Sequence, residues 1–144
     1  MVDLSRIEEL RRRIQKDPAS IAFAQLGEEY RRAGRFEDAI ETCRAGLAYH
    51  PGYLSAYVTL GRALIETGDF GAATEALSRV HAAAPDNLAA IKGLADIRHR
   101  LGDCEAALAL YDRALELAPH DPELEQLVGA VTADLAARAS ALLD

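Results

Sequence analysis

Residues 60–85 read LGRALIETGDFGAATEALSRVHAAAP, and the landmarks of this stretch return at one fixed distance on both sides of it. Gly34, Gly68 and Gly102 are spaced 34 residues apart. The same step joins Phe36, Phe70 and Cys104, then Ala39, Ala73 and Ala107, then Leu26, Leu60 and Leu94, then Pro51, Pro85 and Pro119. A period of this length is the signature of stacked supersecondary units, each touching only its neighbours, in place of one globular core.

Inside one period the pattern is helical twice. Phe23, Leu26, Gly27 and Tyr30 lie three to four apart, and Gly34 follows as a residue free to take the left-handed conformation that closes a helix. Phe36, Ala39, Ile40, Cys43 and Leu47 resume the pattern until His50-Pro51-Gly52 stops it. One unit is therefore two antiparallel helices joined by a very short turn. The second unit repeats this with Tyr57, Leu60, Leu64, Gly68, Phe70, Ala73, Leu77, Val80 and Pro85, and the third with Ile91, Leu94, Gly102, Cys104, Ala107, Leu108, Tyr111 and Pro119. Glycine inside a helix costs up to about 1 kcal/mol relative to alanine, so Gly27 and Gly61 need a packing reason. Small-against-small contact with Ala39 and Ala73 on the partner helix is the expected one.

Working outward, Leu4, Ile7, Leu10 and Ile14 form an amphipathic stripe that ends at Asp17-Pro18. The same dipeptide is expected to open the next helix, with Asp17 as its N-cap and Pro18 in its first turn. Beyond Asp121-Pro122, the residues Leu124, Val128, Gly129 and Val131 begin a fourth first-helix. It is expected to run on without a turn, because Ala136 stands where the next glycine would fall and the apolar pattern continues through Leu135, Ala139 and Leu142. A terminal helix of this kind caps the last apolar face of an array.

The order of a large apolar residue, Leu-Gly, Tyr, Gly, an aromatic, Ala and a closing Pro at this spacing resembles the tetratricopeptide repeat. Phe23, Leu26, Gly27, Tyr30, Gly34, Phe36, Ala39 and Pro51 fit it, as do Tyr57, Leu60, Gly61, Gly68, Phe70, Ala73 and Pro85. The third repeat departs, with Ala95, Arg98 and Cys104 in place of the mid-helix Gly, the Tyr and the aromatic. The resemblance implies an all-α fold, a right-handed superhelical solenoid of antiparallel helix pairs with about eight helices. As a single domain spanning 1–144 it divides into an N-terminal helix at 4–16, repeats at 20–53, 54–87 and 88–121, and a C-terminal capping helix at 122–143.

It further implies that the first helices line a concave groove that binds a peptide or helix of another protein. Carried over by position, that face comprises Gln25, Glu28, Arg31 and Arg32 from the first repeat. The second repeat contributes Ser55, Val58, Thr59, Arg62, Ile65 and Glu66, and the third Lys92, Asp96, His99 and Arg100. Five Lys or Arg stand there against three acids, an excess of +2 that favours an acidic or carboxylate-bearing segment. Members that hold a chaperone's terminal carboxylate use a Lys and an Asn on the first groove helix, an Asn on the second, and a Lys and an Arg on the third. The matching residues here are Ala24 and Glu28, Thr59, then Ala89 and Gly93, so that type of chaperone co-factor is not expected.

Composition bounds the remaining classes. With 144 residues, 50% of them hydrophobic and 27% charged, the chain is one folded, soluble domain's worth. A net charge of −7 argues against a nucleic-acid partner, and Arg11-Arg12-Arg13, flanked by Glu8, Glu9 and Asp17, reads as a solvated helix face. Cys43 and Cys104 sit at non-equivalent places in different repeats, so a disulfide is not expected. No charged leader precedes an apolar run at the N-terminus and no 18 apolar residues are consecutive, which makes the cytoplasm the default location. His50, His81, His99 and His120 show no ligand spacing, and neither a phosphate loop nor a nucleophile elbow occurs. No enzyme activity, metal or cofactor is expected. The competing expectation is a homo-oligomer assembled through the terminal helices, using Leu4, Ile7 and Ile14 or Leu127, Ala130, Ala137 and Leu143.

Overall fold

The computed structural model describes residues 4–143; Met1–Asp3, part of the stretch read for a leader, and Asp144 lie outside the described residues. Eight helices and no strand occur among the described residues. They are α1 (Leu4–Lys16), α2 (Ala22–Arg32), α3 (Phe36–Tyr49), α4 (Leu54–Glu66), α5 (Phe70–Ala83), α6 (Leu88–Arg100), α7 (Cys104–Leu117) and α8 (Pro122–Leu143). The chain forms two compact units, the first ending at Val80 and the second beginning at His81, near the end of α5.

The turns inside the helix pairs follow one design. Gly34, Gly68 and Gly102 take φ of +76°, +83° and +86°, a region that a side chain with a Cβ enters only under strain. This conformation lets the amide of the residue after the glycine reach back five positions. Arg35 N donates to Tyr30 O at 2.9 Å, Asp69 N to Leu64 O at 3.0 Å and Asp103 N to Arg98 O at 2.9 Å. Each bond satisfies a carbonyl that the helix end would leave without a partner.

In the first unit, α1 packs on α2 with Ile7 and Leu10 buried, and α2 packs on both α3 and α4. The mid-helix glycines differ from expectation in what they admit. A Cβ on Gly61 would lie 2.6 Å from Leu77 Cγ, and one on Gly27 would lie 2.6 Å from Cys43 Sγ. The room at these glycines is taken by the side chain sixteen positions downstream, and the carbonyl of Ala39 lies 3.9 Å from a Cβ on Gly27. A third glycine, Gly46 in α3, is enclosed more tightly than either: a Cβ there would lie 2.0 Å from ring atoms of Phe23. That ring is itself fixed, stacked on His50 with centroids 5.8 Å apart and edge-on to Tyr53 at 5.4 Å.

The two Asp-Pro dipeptides behave differently. Asp121 caps α8, its Oδ1 accepting from Leu124 N at 3.1 Å, and Pro122 is the first helical residue. Asp17 does not cap α2, which starts only at Ala22. Its carboxylate instead accepts from Ala19 N at 3.1 Å to make a tight turn, and Ser20 Oγ accepts from Ala22 N at 3.2 Å. His50 Nε2 donates to Ala19 O at 2.6 Å, holding this turn against the loop that follows α3.

In the second unit, Ile91 and Ala95 of α6, Cys104, Ala107, Tyr111 and Ala114 of α7, and Leu124 and Val131 of α8 form one buried cluster. Asn87 caps α6 and Asp103 caps α7 through side-chain oxygens that accept from Ala90 N and Ala106 N. α8 keeps the register of a first helix, but Glu125 occupies the position of Phe23, Tyr57 and Ile91, and a Cβ on Gly129 would meet open space. The side of α8 that would take a following helix is thus polar and small. From Ala136 onward its residues are exposed, Ala139 and Leu142 included, so the apolar run there is helical without being packed. Arg138 holds this end by donating to the carbonyl of Gly102.

Burial has a pH consequence. Desolvation pushes the Cys43 thiol from its usual 9.0 up to about 12, with the charge of Glu28 adding to the rise. Desolvation, aided by the charges of Asp96 and Glu123, raises the Tyr111 hydroxyl from 10.0 to about 12. Both groups ionise first in the unfolded chain, so their contribution to stability is complete below pH 9 and is lost progressively toward pH 12. The denaturation midpoint should fall over that window, and Cys43→Ala with Tyr111→Phe should flatten the fall. An equally steep decline in the double variant would contradict this.

Candidate functional site

The residues expected to bind a partner lie on first helices, α2 and α4 in the first unit and, taken separately, α6 in the second. In the first unit their centre is the Glu28 carboxylate. Arg31 Nε donates to Glu28 Oε1 at 2.7 Å, and Thr59 Oγ1 donates across from α4 to Glu28 Oε2 at 3.0 Å. Burial alone would raise this carboxyl group's pKa. The hydrogen bonds from Arg31 and Thr59 and the charges of Arg31 and Arg62 outweigh it, so the group is held below its usual value and stays ionised.

Around this centre the expected residues divide. Arg32, Ser55, Arg62 and Glu66 are exposed, while Arg31 and Val58 are half-buried. Gln25 is exposed and accepts from Arg6 of α1 at 2.7 Å, which ties the N-terminal helix to this face. Thr59 and Ile65 are each only 4% exposed, so Thr59 serves the contact between α2 and α4 and Ile65 belongs to the interior. Position-by-position transfer placed them on the surface because it tracks the angle around one helix and not the neighbours packed beside it.

In the second unit every expected basic residue already faces an acid. Lys92 Nζ lies 3.1 Å from Glu123 Oε2, His99 Nε2 lies 2.6 Å from Asp134 Oδ2, and Arg100 Nε lies 3.0 Å from Asp96 Oδ1. Glu123 and Asp134 belong to α8 and were not among the expected site residues. The signal that could have found them is spacing: Lys92 to Glu123 is the same 31-residue step as Glu28 to Thr59. Taken by unit, the basic excess survives only in the first, where Arg31, Arg32 and Arg62 stand against Glu28 and Glu66. Among the described residues no group of three His, Cys, Asp or Glu is arranged to hold a metal ion, and no helix is long and apolar enough to cross a membrane.

Helix pairs closed by a left-handed glycine and repeated at 34 residues define a helical repeat protein. A family model for the tetratricopeptide repeat matches residues 30–80 and 64–131, and the chain belongs to that family. A curated relative, bacteriophage adsorption protein A of Escherichia coli (strain K12), is 31% identical over 100 residues, covering 69% of this chain and 10% of that protein. The chain therefore matches about a tenth of that relative's length. Among solved structures, the crystal structure of MamA superposes with a TM-score of 0.82 at 23% identity, covering 94% of this chain and 80% of MamA. The first tetratricopeptide domain of Spaghetti (RPAP3), solved bound to the HSP90 peptide SRMEEVD, gives 0.72 at 21% identity over 94% of this chain and 97% of that one. At these identities the structural likenesses carry the fold.

Proposed function

We propose that the chain is a protein-interaction scaffold whose first-helix faces bind a peptide or helix of a partner protein, without catalysis. The observation that carries this reading is the exposed polar face of α2 and α4, organised around Glu28 and edged by Arg32, Arg62 and Glu66. A structural relative bound to the HSP90 peptide SRMEEVD supports peptide capture as a use of the fold. That ligand does not suit this chain. Ala24 and Gly93 offer no charge, Glu28 is acidic and engaged, and Thr59 is buried.

Affinity capture from the native cell tests the reading, with Arg31, Arg62 and Arg100 replaced together by Glu as control. A partner held by the wild-type chain should be lost by the reversed one, and equal recovery would sink the reading. The SRMEEVD peptide is the negative control, and saturable binding of it would contradict the residue assignment.

Self-association through the terminal helices is a second reading, favoured by Leu142 and Leu143, each 88% exposed at the end of α8. Light scattering across a wide concentration range decides it, since a constant monomer mass rules it out.

A further inference from the structure

The basic residues on the first-helix faces of the two units are in different states. In the second unit Lys92, His99 and Arg100 each lie against a carboxylate. In the first, Arg31 is paired with Glu28, whereas Arg62 is exposed and forms no ion pair or hydrogen bond with any described residue. Its charge still reaches Glu28. The two oxygens of that carboxylate accept from Arg31 and from Thr59, and Arg62 bonds to neither.

We propose that Arg62 anchors an acidic side chain, Asp or Glu, of the bound segment, an inference that rests on the reading of the first-helix faces as binding faces. An unengaged guanidinium presents a planar fork of donors that matches a carboxylate in two parallel hydrogen bonds. The neighbouring surface is defined as well. Val58, one turn earlier on the same side of α4, is half-buried and offers apolar contact beside the charge. The segment that fits carries an acidic residue next to an apolar one. A side chain and not a terminal carboxylate is the ligand, because Ala24, Glu28, Thr59, Ala89 and Gly93 supply none of the cations or amides that hold a chain end in the carboxylate-binding relatives. Arg32 is also exposed, but it is the last residue of α2, whereas Arg62 lies one turn beyond Thr59, whose bond to Glu28 joins α2 to α4.

The test is selection of a random dodecapeptide library displayed on phage with each peptide's C-terminus fused to the coat, so that no free terminal carboxylate is present. Peptides enriched on the full chain should pair Asp or Glu with an apolar neighbour. Synthesised, the best of them should bind Arg62→Gln about tenfold more weakly, Arg62→Lys at an intermediate level, and Lys92→Gln within about twofold of wild type. Unchanged thermal melts of the three variants establish that the loss is one of contact. Enriched peptides without acidic residues, or an equal loss in Lys92→Gln and Arg62→Gln, would overturn the role of Arg62 while leaving peptide capture standing. Failure to enrich any peptide would overturn both.

Discussion

Gly46→Ala should destabilise the first unit by about 3 kcal/mol, although it replaces a poor helix former with the best one. Propensity alone would favour the variant by up to about 1 kcal/mol. Sterics decide against it. The added methyl would fall 2.0 Å from the Phe23 ring, which is 2% exposed and held on its other sides by His50 and Tyr53. The ring can yield only by breaking its stack on His50, whose Nε2 also pins the turn ahead of α2. The effect should therefore spread to both ends of the first helix pair. Urea denaturation followed by circular dichroism measures it, and a midpoint equal to or above wild type would refute the account. The corresponding positions in the later pairs, Val80 and Ala114, already carry side chains, so the constraint is particular to the pair that contains Phe23.

Gly61→Leu should cost roughly 1–3 kcal/mol or more, for a reason that can be isolated with a second substitution. A Cβ at Gly61 would lie 2.6 Å from Leu77 Cγ and 2.7 Å from its Cδ2, and Leu77 is completely buried. Leu77→Ala alone should cost about 2–5 kcal/mol by leaving a cavity. If the two positions share one space, the double variant should be much less unstable than the sum of its parts, because the new leucine occupies the volume that Leu77 vacates. Additive losses in a double-mutant cycle would show that Gly61 is constrained by something other than Leu77.

Both predictions mark where sequence reasoning reached and where it stopped. The 34-residue period located the helix pairs, the left-handed glycines and the terminal helix, because each depends on residues close together in the chain. The same reasoning gave Gly27 and Gly61 a packing role and named Ala39, whose carbonyl lies 3.9 Å from a Cβ on Gly27, but it missed Cys43 and Leu77, which lie nearest, and it passed over Gly46 altogether. Which side chain fills the space above a glycine depends on the relative rotation of two helices, and periodicity leaves that rotation undetermined. Asp17-Pro18 teaches the same lesson. It reads like Asp121-Pro122, yet His50 draws the chain into a turn and delays α2 until Ala22.

The candidate site was legible as an angle and not as a surface. The positions facing away from the helix-pair seams could be listed from the repeat, and Arg32, Ser55, Arg62 and Glu66 are indeed exposed. Their electrostatic state could not be listed, because an ion pair between helices joins residues whose separation in the sequence carries no chemical label until the packing is known. Lys92 and His99 are matched by acids of a helix that the sequence assigned only to capping.

The sequence by itself thus determined the class of the fold, the helix count and the family, since these follow from local spacing repeated at a fixed period. Tertiary structure alone decided that Thr59 is an interior hydrogen-bond donor, that Ile65 belongs to the core, and that Arg62 is left exposed with no ion pair or hydrogen bond to a described residue. The physical reason is that burial and charge pairing are properties of neighbouring helices together, and a repeat pattern describes each helix one at a time.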